Sequence, residues 1–157
     1  MYIKWMLVCM FFFYHSCDRD TLYIHKVQWT HNTWERDKEC AFHITIEDIH
    51  QAYDVYLLLQ YTTECPYQNL YVSHRVEDNS KNILETTLSN HALYDSKTGI
   101  PLGKGWSNTK FIRLPLILGY TFYKSGDYSV SLTQFMRTDE LKGISCVGLQ
   151  VCKSKSE

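Results

Sequence analysis

The chain has 157 residues and sets 16 Lys and Arg against 17 Asp and Glu, a formal charge of −1 with neutral histidines. That balance argues against nucleic acid as the main partner, which would need a basic surface. With 15% aromatic and only 21% charged residues, extended disorder is excluded, and the length suits one buried core and one domain.

Residues 1–16 read MYIKWMLVCMFFFYHS, with Lys4 the sole charge and an unbroken apolar run from Trp5 to Tyr14. A membrane helix needs roughly 20 apolar residues, whereas a signal-peptide core needs roughly 7–15; the run has signal-peptide size. Cys17 follows the small Ser16, and Asp18, Arg19 and Asp20 end the apolar character. The segment resembles a bacterial lipoprotein signal. Cleavage before Cys17 would leave that residue with diacylglycerol on its thiol and a further chain such as palmitate on its amino group, and several chains anchor stably where one is marginal. Cys9 sits in a better aliphatic context but has only eight residues before it, so Cys17 is preferred. The same run also fits an ordinary secretory signal or a buried N-terminal strand. The expected division is 1–16 as lipoprotein signal peptide and 17–157 as a lipid-anchored domain.

Beyond the signal, period-two alternation recurs between turn residues, the pattern of an all-β domain. Cys40, Phe42, Ile44 and Ile46 share one strand face. Val55, Leu57, Leu59 and Tyr61 alternate with Tyr56, Leu58 and Gln60, so this strand is apolar on both faces and central. Leu70, Val72, His74 and Val76 form the next, after a connection broken by Pro66. A weaker Thr-rich strand runs from Ile83 to Leu88, and a long Gly-rich loop covers 95–108. Phe111 to Leu118, then Tyr128, Val130 and Leu132, then Val147, Leu149 and Val151 complete the strands; Arg137 to Lys142 reads as a helical turn. Seven to eight strands predict a single-domain antiparallel β-sandwich, jelly-roll-like, with little helix.

Lipidation would consume Cys17, leaving Cys40, Cys65, Cys146 and Cys152 for up to two disulfides in an oxidising envelope. Cys146 and Cys152 lie on one strand, roughly 20 Å apart at about 3.3 Å per residue, beyond the roughly 7 Å that a disulfide allows. Two bonds would therefore each join the last strand to Cys40 or Cys65. No metal site is expected. Cys40-x-x-His43 places its two residues on opposite faces of a strand, and no second pair completes a tetrahedral set. Nucleophile, zinc-protease and phosphate-loop motifs are missing, and Gly103-Lys104-Gly105 has the wrong spacing and context for a phosphate loop. No cofactor and no enzymatic activity are expected. Trp29, Trp34, Trp106, Tyr67 and Tyr71 would serve a polysaccharide-binding face if exposed, but the preferred reading places such rings in the core or at a protein interface.

The second half carries a resemblance. Met136-Arg137-Thr138-Asp139-Glu140-Leu141-Lys142-Gly143-Ile144, followed by Val147-Gly148-Leu149, resembles the C-terminal signature of the GldH family of gliding-motility lipoproteins. Tyr53-Asp54-Val55-Tyr56, Pro66-Tyr67-Gln68-Asn69-Leu70, Leu102-Gly103-Lys104-Gly105 and Gly126-Asp127-Tyr128 match further family elements in order. The resemblance implies a lipid-anchored envelope protein, needed for assembly or function of the gliding apparatus through contacts with other envelope proteins. It carries over no catalytic residues. It marks Asn69, Gly103, Gly105, Met136, Arg137, Leu141, Gly143 and Gly148 as structural or interface positions. Arg137 is expected to tie off strand-end carbonyls or an acidic neighbour, and Gly143 to turn the chain with positive φ. The acidic residues after Cys17 leave the membrane open between inner and outer, with the outer preferred.

Overall fold

The computed structural model describes residues 20–155; the signal run, Cys9 and Cys17 lie outside them. Ten strands form, and no helix among the described residues: β1 (Thr21–Gln28), β2 (Thr33–Glu35), β3 (Cys40–Ile46), β4 (Tyr53–Thr62), β5 (Asn69–Asp78), β6 (Ile83–Ala92), β7 (Thr109–Tyr120), β8 (Gly126–Gln134), β9 (Glu140–Lys142) and β10 (Ile144–Lys153). Two four-stranded antiparallel sheets, β1-β10-β4-β7 and β3-β8-β5-β6, face each other, and β2 pairs with β9 as a small third sheet. Residues 137–142 are therefore not a helical turn: 137–139 bend and Glu140–Lys142 form the short strand β9, and the count exceeds seven to eight by β1 and the β2–β9 pair. Each strand of that pair is three residues long, and its pairing energy comes from a partner about a hundred residues away, so neither leaves a period in the sequence.

The inward residues of both sheets make one core, with Phe42, Ile44, Ile46, Leu57, Leu59, Tyr61, Val72, Val130, Leu132, Val147, Leu149 and Val151 all buried. β4 is central and apolar on both faces. On its outer face Leu58 is buried because long side chains cross the sheet from both edges. Lys26 of β1 reaches over to the Phe111 ring of β7, 4.8 Å from its centroid, and Arg113 of β7 stacks on Tyr56 at 3.5 Å. Gly148, between them on β10, is packed against Lys26 and the His25 carbonyl.

The register sorts the connections between two poles. β1 begins opposite Cys152, which faces Asp54, while Tyr53 faces Tyr120; this is the near pole, four residues along the chain from Cys17. Connections 47–52, 79–82 and 121–125 lie there, all short. At the far pole Gln28 faces Cys146, Thr62 faces Thr109, and Cys40 faces Leu132. The connections 29–39, 63–68, 93–108 and 135–143 gather there, all but 63–68 longer than any at the near pole.

At the near pole Asp78 ends β5 and closes a turn. Its carboxylate accepts the Ser80 and Asn82 backbone N–H groups, the Asn82 side-chain amide at 2.9 Å and the Tyr123 hydroxyl at 2.7 Å. These bonds, led by the Asn82 side chain and Tyr123, hold its pKa well below the ordinary 3.8. The sign follows from linkage: the contribution is complete above the unfolded value and is lost as pH falls below it, because the unfolded chain takes up the proton first. Stability measured from about pH 4 down to about pH 2 should fall more steeply for the parent chain than for Asp78→Asn.

Candidate functional site

The far pole is built on the crossing from β8 to β10. Gln134, fully buried at the end of β8, accepts the Met136 N–H at 2.8 Å through Oε1 and donates to the Thr138 carbonyl at 3.1 Å through Nε2. One side chain thus folds the 134–138 segment back on itself. Arg36 donates to the Met136 carbonyl at 2.9 Å and meets Asp139 at 3.3 Å. The guanidinium that ties off this crossing belongs to Arg36, although the sequence suggested Arg137. Among the described residues no hydrogen bond or ion pair involves Arg137, and its side chain is exposed.

Past this tie, β9 pairs with β2 so that Leu141 stands directly opposite Trp34, both fully buried. The Trp34 indole donates to the Lys38 carbonyl at 2.9 Å. The two side chains plug the far end of the core, so Trp34 is no exposed aromatic. Gly143 then turns the chain with φ 82°. Its carbonyl accepts the Thr62 N–H at 2.7 Å, while the backbone of Cys65 occupies the space a β-carbon would need.

The 93–108 connection is held by Tyr61, which is buried in β4. Its hydroxyl donates to the Leu93 carbonyl at 2.7 Å and accepts the Gly103 N–H at 3.0 Å. At Gly105, φ 154°, the Thr109 carbonyl comes so close that a β-carbon would overlap it. Beyond the glycine Trp106 projects, 93% exposed. Replacing Tyr61 by Phe should remove both bonds at about 1–2 kcal/mol in all. Amide exchange at Gly103 should accelerate beyond what the global loss accounts for, the loop being released locally.

On the outer face of the second sheet, the far pole carries a groove of ≈ 480 Å³. Tyr67, Tyr71 and Phe135 supply aromatic wall, Leu88 and Met136 aliphatic floor, and Asn69 and Arg137 the polar rim. Its frame is rigid: the Phe135 N–H donates to the Tyr71 carbonyl at 2.8 Å, the Tyr71 N–H to Met136 Sδ at 3.3 Å, and Asn69 to Asn90 at 2.8 Å. Tyrosine, phenylalanine, methionine and arginine are the residue types enriched where proteins bind proteins. Of the signature positions, Asn69, Met136 and Arg137 line this groove, and Gly103, Gly105, Leu141 and Gly143 shape the connections at the same pole. Gly148 stands apart, on the sheet. Sequence reading missed Arg36, Gln134, Tyr61, Leu88 and Phe135; a glutamine ending an apolar strand was the one visible signal.

Other candidates fall outside the groove. Cys40, Cys65, Cys146 and Cys152 are free and buried. Burial, then the neighbouring Cys146 and Glu39, push the Cys40 thiol up to about 12, and burial also raises Cys65 and Cys146, so these three are held as unreactive thiols. Cys152 lies at the near pole and both Cys40 and Cys65 at the far one, separated by roughly the length of a strand at about 3.3 Å per residue; the scheme with two bonds is sterically closed. Cys40 turns into the core and His43 outward, and no cluster of three metal-ligating side chains occurs among the described residues. Trp29 is half-buried in the 29–39 connection.

Three comparisons bear on identity. The family model described as GldH lipoprotein matches residues 21–151, from the first residue of β1 to within two residues of the end of β10. A gliding motility lipoprotein GldH homolog from Christiangramia forsetii is 27% identical over 150 residues, covering 90% of this chain and 89% of its own. A chain from the structure of infectious bursal disease virus Gx strain overlaps 85% of this chain and 30% of its own at 12% identity and a TM-score of 0.33, too distant to carry fold or function. The family match thus takes in both sheets, the plug and every signature position described above, and the chain belongs to the GldH lipoprotein family.

Proposed function

We propose that this lipoprotein is anchored through Cys17 and acts without catalysis, as an envelope component on which other proteins of the gliding apparatus assemble. The observation that carries the reading is the clustering of signature residues: seven of the eight sit at the far pole, away from the end where the chain enters from Cys17. A sandwich with strands of about ten residues is roughly 30 Å long, so an anchored near pole presents the groove and Trp106 well clear of the bilayer. Burial of the thiols, which withdraws them as nucleophiles, supports a non-enzymatic role. The outer membrane is the favoured location.

Deleting the gene in a gliding host should abolish colony spreading and deplete specific envelope complexes, and re-expression should restore both. Intact mass of the membrane-extracted protein should correspond to acylated residues 17–157. Normal spreading in the deletion strain, or an unmodified residue 1, would overturn the assembly role or the anchor respectively. Glycan-array binding without any co-purifying envelope protein would favour polysaccharide recognition by the far-pole aromatics instead.

A further inference from the structure

We propose that β6 is a docking edge: an extended segment of a partner protein adds to it as a strand, seats a large apolar side chain against Leu88 and Tyr71, and presents a carboxylate to Arg137. The inference rests on the far-pole reading above and specifies what would be bound there. β6 closes one side of its sheet, pairing with β5 alone. Among the described residues no backbone hydrogen bond other than those to β5 involves residues 83–92. Along these ten residues the alternate backbone groups that face away from β5 therefore have no protein partner among the described residues, and such an edge is a template for another strand.

The other three edges are guarded and this one is not. β7 holds Lys110, Arg113 and Pro115. β1 holds Lys26. β3 is shorter and lies against β1 through the contact of His25 with Phe42 at 6.2 Å. β6 has no lysine, arginine or proline; its one charge, Glu85, turns inward to His74 at 3.4 Å. Outward it shows Ile83, 62% exposed, and Leu88, 49% exposed. Natural edges without such guards invite pairing.

Charge complementarity selects the occupant. Among the described residues Arg137 is the one charged residue lining the groove, and its planar fork, without a partner among them, is shaped for a carboxylate. Asp139 is already engaged by Arg36. Strand addition has this division of labour in general: main-chain hydrogen bonds give affinity and side-chain pockets give specificity.

The test uses the full lipoprotein in detergent and an array of synthetic ten-residue peptides built from alternating Thr and Val, each with one Phe or Leu and one Asp. Matched arrays replace Asp by Lys, or carry N-methyl groups on alternate backbone nitrogens, and polygalacturonate serves as an acidic polysaccharide probe. Peptides with Asp should bind, and their affinity should fall at least about tenfold with Asp→Lys, with N-methylation, and in the folded variants Arg137→Glu and Leu88→Lys. Equal binding of N-methylated peptides, or capture of polygalacturonate with no peptide bound, would overturn strand addition. If envelope proteins still co-purify through the far pole while Leu88→Lys and N-methylation change nothing, this inference fails and the far-pole reading stands. Failure of the parent chain to co-purify any envelope protein, or full retention of those proteins by the far-pole variants, would remove both.

Discussion

Gly143→Ala is expected to destabilise the protein by about 3 kcal/mol, a fall in melting temperature of about 10 °C for a domain of this size. Two costs combine. An L-residue at φ 82° pays about 1–2 kcal/mol for the left-handed region. The new β-carbon would also overlap Cys65 N and stand 2.7 Å from Cys65 Cα. These are backbone atoms and cannot swing away, so the 62–65 segment must move and the Thr62 to Gly143 hydrogen bond with it. Gly99→Ala separates the two effects. Gly99 has a similar φ of 68° with nothing within 4 Å of the added carbon, so its cost should stop at about 1 kcal/mol. Thermal unfolding of the two variants side by side checks this, and equal shifts would refute the steric part of the argument.

Trp34→Ala should cost about 4 kcal/mol, with a fall in melting temperature of about 15 °C. The indole is fully buried against Leu141 and its N–H is bonded to the Lys38 carbonyl, so truncation opens the far end of the core and unties the 29–39 connection together. Phenylalanine at this position retains much of the packing but loses the bond, and should cost about half as much. Because the plug forms one side of the crossing that carries Met136 and Arg137, Trp34→Ala should also blur the groove. Near-pole amides such as those of 79–82 should exchange no faster than the global change requires.

The long strands were legible because each has one buried face: Cys40, Phe42, Ile44 and Ile46, or Val147, Leu149 and Val151, give a period of two that no helix would share. β4 was read correctly as central from its doubly apolar pattern. β1 was hidden by its own position. As an edge strand it leaves Leu22 and Ile24 exposed on one face and His25 on the other, so hydrophobicity no longer marks which side is inward. β6 continues four residues past Leu88 to Ala92, through Ser89, Asn90 and His91, whose polar side chains give no apolar alternation to read. The site was legible only in part. The resemblance located Asn69, Met136 and Arg137, but their meeting in one groove depends on the ladder of β5 with β8, and Arg36 replaces Arg137 at the crossing because β2 brings it there from a hundred residues away.

Topology divides the molecule between a near pole of short turns, where the chain enters from Cys17, and a far pole bearing an aromatic groove, a projecting Trp106 and the Arg137 guanidinium, which has no partner among the described residues. Partners are proposed to meet the far pole. Co-purification from solubilised membranes tests it directly, comparing Trp106→Ala combined with Arg137→Glu against the exposed near-pole variant Lys124→Glu, all at equal abundance and melting temperature. The far-pole pair should lose the envelope proteins retained by the parent chain while Lys124→Glu keeps them; full retention by the far-pole pair would contradict partner binding at the far pole.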